Sequence, residues 1–217
     1  MSASSSLPEP PEVNGVKTTL LQATHAQLAA SPQLPALVRT INQAFAASYE
    51  QPLMPNDVTR LRTDDQLAHE LSPDVLSFLV APADDPAAVF ACVFVEQFRP
   101  PSEPVAYEHA VWIPRPKLDV PGEALWTIRL LCVSPHAQRN GLAGWLLALA
   151  ESVIKREVRA LGGFDSIRLV IATVKEVNEA FYVKRGWTVV EQRRMEPGFL
   201  RSEGGFTIID LDKVITV

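Results

Sequence analysis

The stretch L-L-C-V-S-P-H-A-Q-R-N-G-L-A-G, Leu130 to Gly144, decides how the chain is read. An apolar run from Ala124 to Val133 is stopped by Ser134-Pro135, a polar turn follows, and a long apolar-periodic segment begins at Gly141. The order is strand, turn, helix N-terminus. Such a junction leaves several backbone N–H groups unpaired at the positive end of a helix dipole, a setting that suits an anion, phosphate above all. Gly141, Ala143 and Gly144 keep bulk away from the backbone, and Arg139 adds a positive charge. The glycines do not form G-x-G-x-x-G, and no Lys-Ser or Lys-Thr follows Gly144, so dinucleotide and P-loop readings are weak.

The finer pattern V-x-P-x-x-Q-x-x-G-x-A, Val133 to Ala143, resembles the acyl-CoA signature of the GCN5-related N-acetyltransferases, Q/R-x-x-G-x-G/A, with Gln138, Gly141 and Ala143 at its three defined positions. The resemblance implies that the backbone from Gln138 through Arg139, Asn140, Gly141 and Leu142 to Ala143 holds the pyrophosphate of coenzyme A. It further implies that Leu131, Cys132 and Val133 pair with the pantetheine amides like an added strand, one of their N–H groups polarising the thioester carbonyl. The fold it implies is α/β, a single domain with a mixed, mostly antiparallel sheet of six to seven strands flanked by helices.

Working outward, the element order fits that expectation. Met1 to Val13 is Ser- and Pro-rich and reads as a mobile tail, leaving residues 14–217 as one acyltransferase-like domain. Val16 to Ala23 is a first strand. Pro32 and Pro35 introduce a helix with Leu34, Leu37, Val38, Ile41 and Phe45 on one face. Tyr49 to Asn56 is a loop, and Thr63 with Gln66 has capping-box spacing for a helix from Asp64 to Leu71. Val75 to Ala81 and Ala88 to Phe98 are strands. Arg99 to Gly122 carries six prolines around A-Y-E-H-A-V-W-I, either an extra strand or a surface excursion. After the signature, Leu142, Leu146, Leu149 and Val153 line one helical face, and Gly162-Gly163 ends the helix. Ser166 to Val174 is a strand buried on both faces, Glu176 to Arg185 a helix, Trp187 to Gln192 and Phe206 to Leu211 the last strands.

Bulk properties set limits on function. The chain has 217 residues, 47% of them hydrophobic, with a net charge of -5. That is globular composition with room for a substantial core. An acidic balance argues against nucleic acid as a partner. Cys92 and Cys132, the only cysteines, lie in apolar strand-like runs and read as reduced thiols of a cytoplasmic protein. No apolar run is long enough to span a bilayer, and no membrane partner is expected. His25, His69, His109 and His136 show no metal-ligand spacing, so no metal is expected.

A second informative stretch is N-E-A-F-Y-V-K-R-G-W, Asn178 to Trp187. Phe181 and Tyr182 are neighbours on a short helix and cannot share a face. With Phe181 packed inward, Tyr182 would lie at an edge as an apolar ring with a wet tip. The stretch also resembles the family's second motif, Y-x-K-x-G-F/W, in which the Tyr stands four before the Gly, as Tyr182 does before Gly186. By that resemblance Tyr182 is the general acid that protonates the departing thiolate, which requires it to be held close to the sulfur because its ordinary pKa is about 10. The family's Asn on the pantetheine arm precedes that Tyr by seven positions. Lys175 occupies that place here, so Asn178 either contacts the arm or caps the helix.

These readings converge on transfer of an acetyl group from acetyl-CoA, the co-substrate, to a small-molecule or protein amine, without a metal. Glu108, His109 and Glu123 are the nearest candidates for a base, none with a distinctive spacing, and Cys132 lacks an evident His partner for covalent chemistry. Glu50 and Asp57 would favour a cationic acceptor. Ser48 to Asn56, Arg99 to Gly122 and Glu196 to Gly205 are the loops that would shape the acceptor site. The alternative on the same fold is a non-catalytic acyl-CoA-binding or regulatory module, and a third reading is another kind of phosphate-binding α/β enzyme. Neither the acceptor nor the oligomeric state is legible.

Overall fold

The computed structural model describes residues 7–47, 59–98, 110–112 and 120–217. Met1 to Ser6, Glu50, Asp57, Glu108 and His109 lie outside the described residues. Strands β1 (Thr18–Thr24), β2 (Leu76–Pro82), β3 (Ala91–Gln97), β4 (Ala110–Trp112), β5 (Glu123–Val133), β6 (Ser166–Val174), β7 (Thr188–Met195) and β8 (Phe206–Thr216) alternate with helices α1 (His25–Ala29), α2 (Leu34–Ala47), α3 (Asp64–Glu70), α4 (Leu142–Leu161) and α5 (Lys175–Val183). The class is α/β with a mixed sheet flanked by helices, as expected. Among the described residues the strands number eight rather than six or seven. The additional one is β4, the middle of the proline-rich stretch, which pairs antiparallel with β7 from Ala110 opposite Arg193 to Trp112 opposite Glu191. The chain folds as two compact units, each assembled from separate segments.

The first unit comprises Met1–Ala44, Leu61–Phe94 and Leu130–Val153. β1 and β2 pair antiparallel from Thr18 opposite Pro82 to Thr24 opposite Leu76. β2 and β3 are buried on both faces, which explains their unbroken apolar runs. The face of α2 read from its spacing is buried at Leu34, Leu37, Val38 and Ile41, against Leu28, Leu67, Leu79 and Phe94. The α4 face is likewise buried at Leu142, Leu146, Leu149 and Val153. Helix α1 has no counterpart in the sequence reading. It is a single short run, started by a capping box in which Thr24 Oγ1 accepts from Gln27 N–H while Gln27 Oε1 accepts from Thr24 N–H. The box expected at Thr63 does not form. Gln66 Oε1 accepts instead from Arg62 N–H (2.8 Å), and a hydrogen bond from Thr63 holds the exposed Asp65 carboxyl below its usual range.

Val13 is buried, and residues 13–16 make a tight hairpin: Val13 N–H donates to Val16 C=O (3.0 Å) and Val16 N–H to Val13 C=O (2.8 Å). Its two central residues, Asn14 and Gly15, have φ of 51° and 80°. That is the type I′ geometry for which Asn-Gly is the favoured pair. Leu7 to Glu12 lead into it without regular structure.

The second unit comprises Phe45–Arg60, Val95–Arg129 and Ile154–Val217. Its strand order is β5-β6-β8-β7-β4. β5 and β6 are parallel, in register from Glu123 opposite Ser166 to Thr127 opposite Val170, a pairing that requires the long crossover supplied by α4. β8 pairs antiparallel with both β6 and β7. It runs to Thr216, five residues past the expected end at Leu211. A buried ion cluster accounts for the difference. Arg168 of β6 grips Glu123 of β5 through Nε to Oε1 (2.6 Å) and Nη2 to Oε2 (3.2 Å), and reaches Asp212 of β8 through Nη1 to Oδ2 (2.6 Å). Asp212 looks like the end of an apolar pattern but is buried by its partner.

Candidate active site

The loop before α4 is held in one shape by its own polar groups. Pro135–Ala137 form one 3-10 turn, then Arg139 (φ 65°) and Gly141 (φ 80°) reverse the chain into the helix. A Cβ at Gly141 would meet nothing within 4 Å, so its requirement is conformational, the left-handed backbone, and the space above it is open. Asn140 Nδ2 donates to Gln138 C=O (3.0 Å) and Ala137 C=O (3.3 Å), and Gln138 Nε2 donates to Val133 C=O (3.4 Å). Because a peptide is planar and trans, tying back the Gln138 carbonyl turns the Arg139 N–H the opposite way. The first helical bond of α4 runs from Trp145 N–H to Gly141 C=O (3.0 Å). Among the described residues no carbonyl accepts from the N–H groups of Arg139 to Gly144. A row of unsatisfied donors at the N-terminus of a 20-residue helix has the electrostatics that suit an anion.

Strand β5 leads into this loop through a kink at Leu130, whose φ of 48° is rare for a residue with a side chain. Leu130 and Cys132 pack on the core of the first unit together with Cys92, whose thiol donates to the Leu130 carbonyl (3.5 Å). Burial pushes the Cys92 thiol well up, and the neighbouring Cys132 adds to the rise. Both cysteines are free, and Cys132 is half-buried along with Leu131 and Val133. The register with β6 stops at Thr127 while β5 runs on to Val133.

In the second unit, Tyr182 is buried, 5% exposed, while Phe181 is half-buried with the Arg185 guanidinium 3.8 Å over its ring. The sequence expectation had these two the other way round. Tyr182 meets Phe181 and Trp187 edge-on, at ring separations of 5.0 and 5.7 Å, so its orientation is set by aromatic packing. Asn178 does not cap α5. The helix starts at Lys175, and Asn178 lies inside it, donating through Nδ2 to Thr173 Oγ1 (2.8 Å). Lys175, in the place of the family's Asn, donates to Gln192 Oε1 (2.9 Å). Glu123 is removed from the candidate bases, since both its oxygens are held by Arg168. A buried carboxylate that the sequence reading missed is Glu96 of β3, paired with Arg129 of β5 at 3.0 Å.

Comparison with solved structures places this architecture. The Arabidopsis thaliana NAA60 protein, solved in complex with a bisubstrate analogue, aligns over 92% of this chain and 98% of its own, with a TM-score of 0.53 at 14% identity. The ribosomal-protein-S18-alanine N-acetyltransferase of Escherichia coli aligns over 92% and 95%, with a TM-score of 0.51 at 17% identity. The fold is that of the GCN5-related N-acetyltransferases. No protein-family model and no curated protein matches the sequence. At these identities the likeness carries the acetyltransferase fold alone. Among the described residues no group of His, Cys, Asp and Glu is placed to hold a metal ion, and no helix is long and apolar enough to cross a membrane.

Proposed function

We propose that this chain is an acetyl-CoA-dependent N-acetyltransferase in which an amine attacks the thioester directly within a ternary complex. The observation that carries the reading is the row of N–H groups from Arg139 to Gly144 without acceptors, at a helix N-terminus and under an open Gly141. A diphosphate is the anion whose size and charge suit such a row. Coenzyme A supplies the activated acyl group as its thioester. Gln138, Arg139, Asn140, Gly141, Leu142 and Ala143 bind the diphosphate by main chain, with the Arg139 charge beside them.

Leu131, Cys132 and Val133 orient the pantetheine arm, since β5 continues past its last partner in β6 and offers main-chain groups there. One N–H of that segment polarises the thioester carbonyl. Tyr182 delivers a proton to the leaving sulfur and regains one from solvent, which takes up the proton the attacking nitrogen loses, and its aromatic neighbours keep the phenol in one orientation. Asn178 supports the arm from α5. Cys132 serves packing beside Leu130 rather than covalent chemistry, consistent with direct attack. The acceptor is a small-molecule or protein amine, and no nucleic acid or membrane is engaged.

The test is thioester consumption by the full chain over a panel of amines, amino acids, polyamines and peptides with free N-termini. Turnover with an amine in the panel is the expected result. Acetyl-CoA binding without turnover anywhere in the panel would favour the non-catalytic acyl-CoA-binding module.

A further inference from the structure

The loop that carries the unsatisfied N–H row is gripped from outside by the hairpin at Asn14-Gly15. Asn14 N–H donates to Asn140 Oδ1 (3.2 Å), Asn140 Nδ2 donates to Asn14 Oδ1 (3.3 Å), and Asn14 Nδ2 donates to His136 C=O (2.9 Å). These bonds join residues more than 120 positions apart in sequence. They are made by a tip whose shape its own backbone bonds define. Its two cross-strand backbone bonds, positive φ at both central residues and the buried Val13 set its direction. The same Asn140 amide bonds the Ala137 and Gln138 carbonyls, so the carbonyl oxygens of residues 136, 137 and 138 are all held by Asn14 or Asn140. Of the three peptides so held, two turn their N–H groups, those of Ala137 and Gln138, to Ser134 and Pro135, and the third turns the Arg139 N–H, first of the unsatisfied row, away from Asn140, while the negative carbonyl ends are kept from an incoming anion.

We infer that Asn14 is a positioning residue for the donor diphosphate: acting through Asn140, the hairpin fixes the loop in the conformation that presents its N–H groups. The inference rests on the donor-site reading above. Asn14 touches no reacting atom, and its contribution is preorganisation of the loop before binding.

Asn14→Gly is the informative variant, because Gly-Gly also suits a type I′ turn and the hairpin survives while the amide side chain is lost. Calorimetric titration of the full chain with coenzyme A should show affinity lowered roughly five- to tenfold, the scale of one or two hydrogen bonds. S-acetylpantetheine, which has the arm but no diphosphate, should bind the native chain and the variant equally. In an Asn140→Ala background, Asn14→Gly should cause a smaller loss than in the native chain, because only its bond to the His136 carbonyl is left to lose. Unchanged coenzyme A affinity in Asn14→Gly, or equal weakening of both ligands, would overturn the inference while leaving the donor site standing. A native chain that binds no coenzyme A would bring down the donor site and the positioning role together.

Discussion

Arg168→Ala is expected to lower the stability of the chain by about 3–5 kcal/mol, the usual cost of leaving buried charges without their partner. Arg168, Glu123 and Asp212 are each less than a tenth exposed at their side chains. Burial works against the Arg168 charge, but its bonds to Glu123 and Asp212 outweigh that and raise the pKa above the ordinary arginine value. Removing the guanidinium leaves two buried carboxylates on β5 and β8 with no countercharge. Urea melts of the native chain and the variant would show the loss. A loss below about 1 kcal/mol would mean the cluster is not what joins these three strands.

The second large effect concerns Tyr182. Tyr182→Phe keeps the ring that packs against Phe181 and Trp187 and removes only the hydroxyl, so the fold should be retained. With an acceptor identified, kcat should fall on the order of a hundredfold or more, the range for loss of a positioned general acid, while acetyl-CoA affinity changes little. Full turnover in Tyr182→Phe would remove the acid role. A parallel fall in donor affinity and kcat would make Tyr182 a binding group.

Much of this was legible where local pattern and burial agree. The faces of α2 and α4 followed from 3–4 spacing of leucines and valines, and the span of β6 from an apolar run bounded by Asp165 and Lys175. The legibility failed where a polar residue is buried by a distant partner. β8 continues past Leu211 through Asp212 and Lys213 because Arg168 meets Asp212, which no local window reveals. Helix α1 is too short for periodicity, although Thr24 and Gln27 carried its start signal. The kink at Leu130 had no signal, since leucine is not a residue that announces positive φ. Asn14-Gly15 did have one, being the strongest short hairpin pair, and its role emerged only once the fold brought it to Asn140. For Phe181 and Tyr182, adjacency told that they differ in exposure but not which of them is inward.

The central claim is a coenzyme A site at the head of α4, and calorimetric titration of acetyl-CoA into the native chain and Gly141→Asp tests it most directly. At Gly141 the aspartate would put a negative charge into the open space beside the N–H row, on a backbone that costs about 1–2 kcal/mol for a side chain. Melting of both proteins shows that the variant is folded at the titration temperature. Saturable binding by the native chain and no measurable binding by the folded variant is the predicted result. No binding by the native chain, or equal binding by both, would contradict the site.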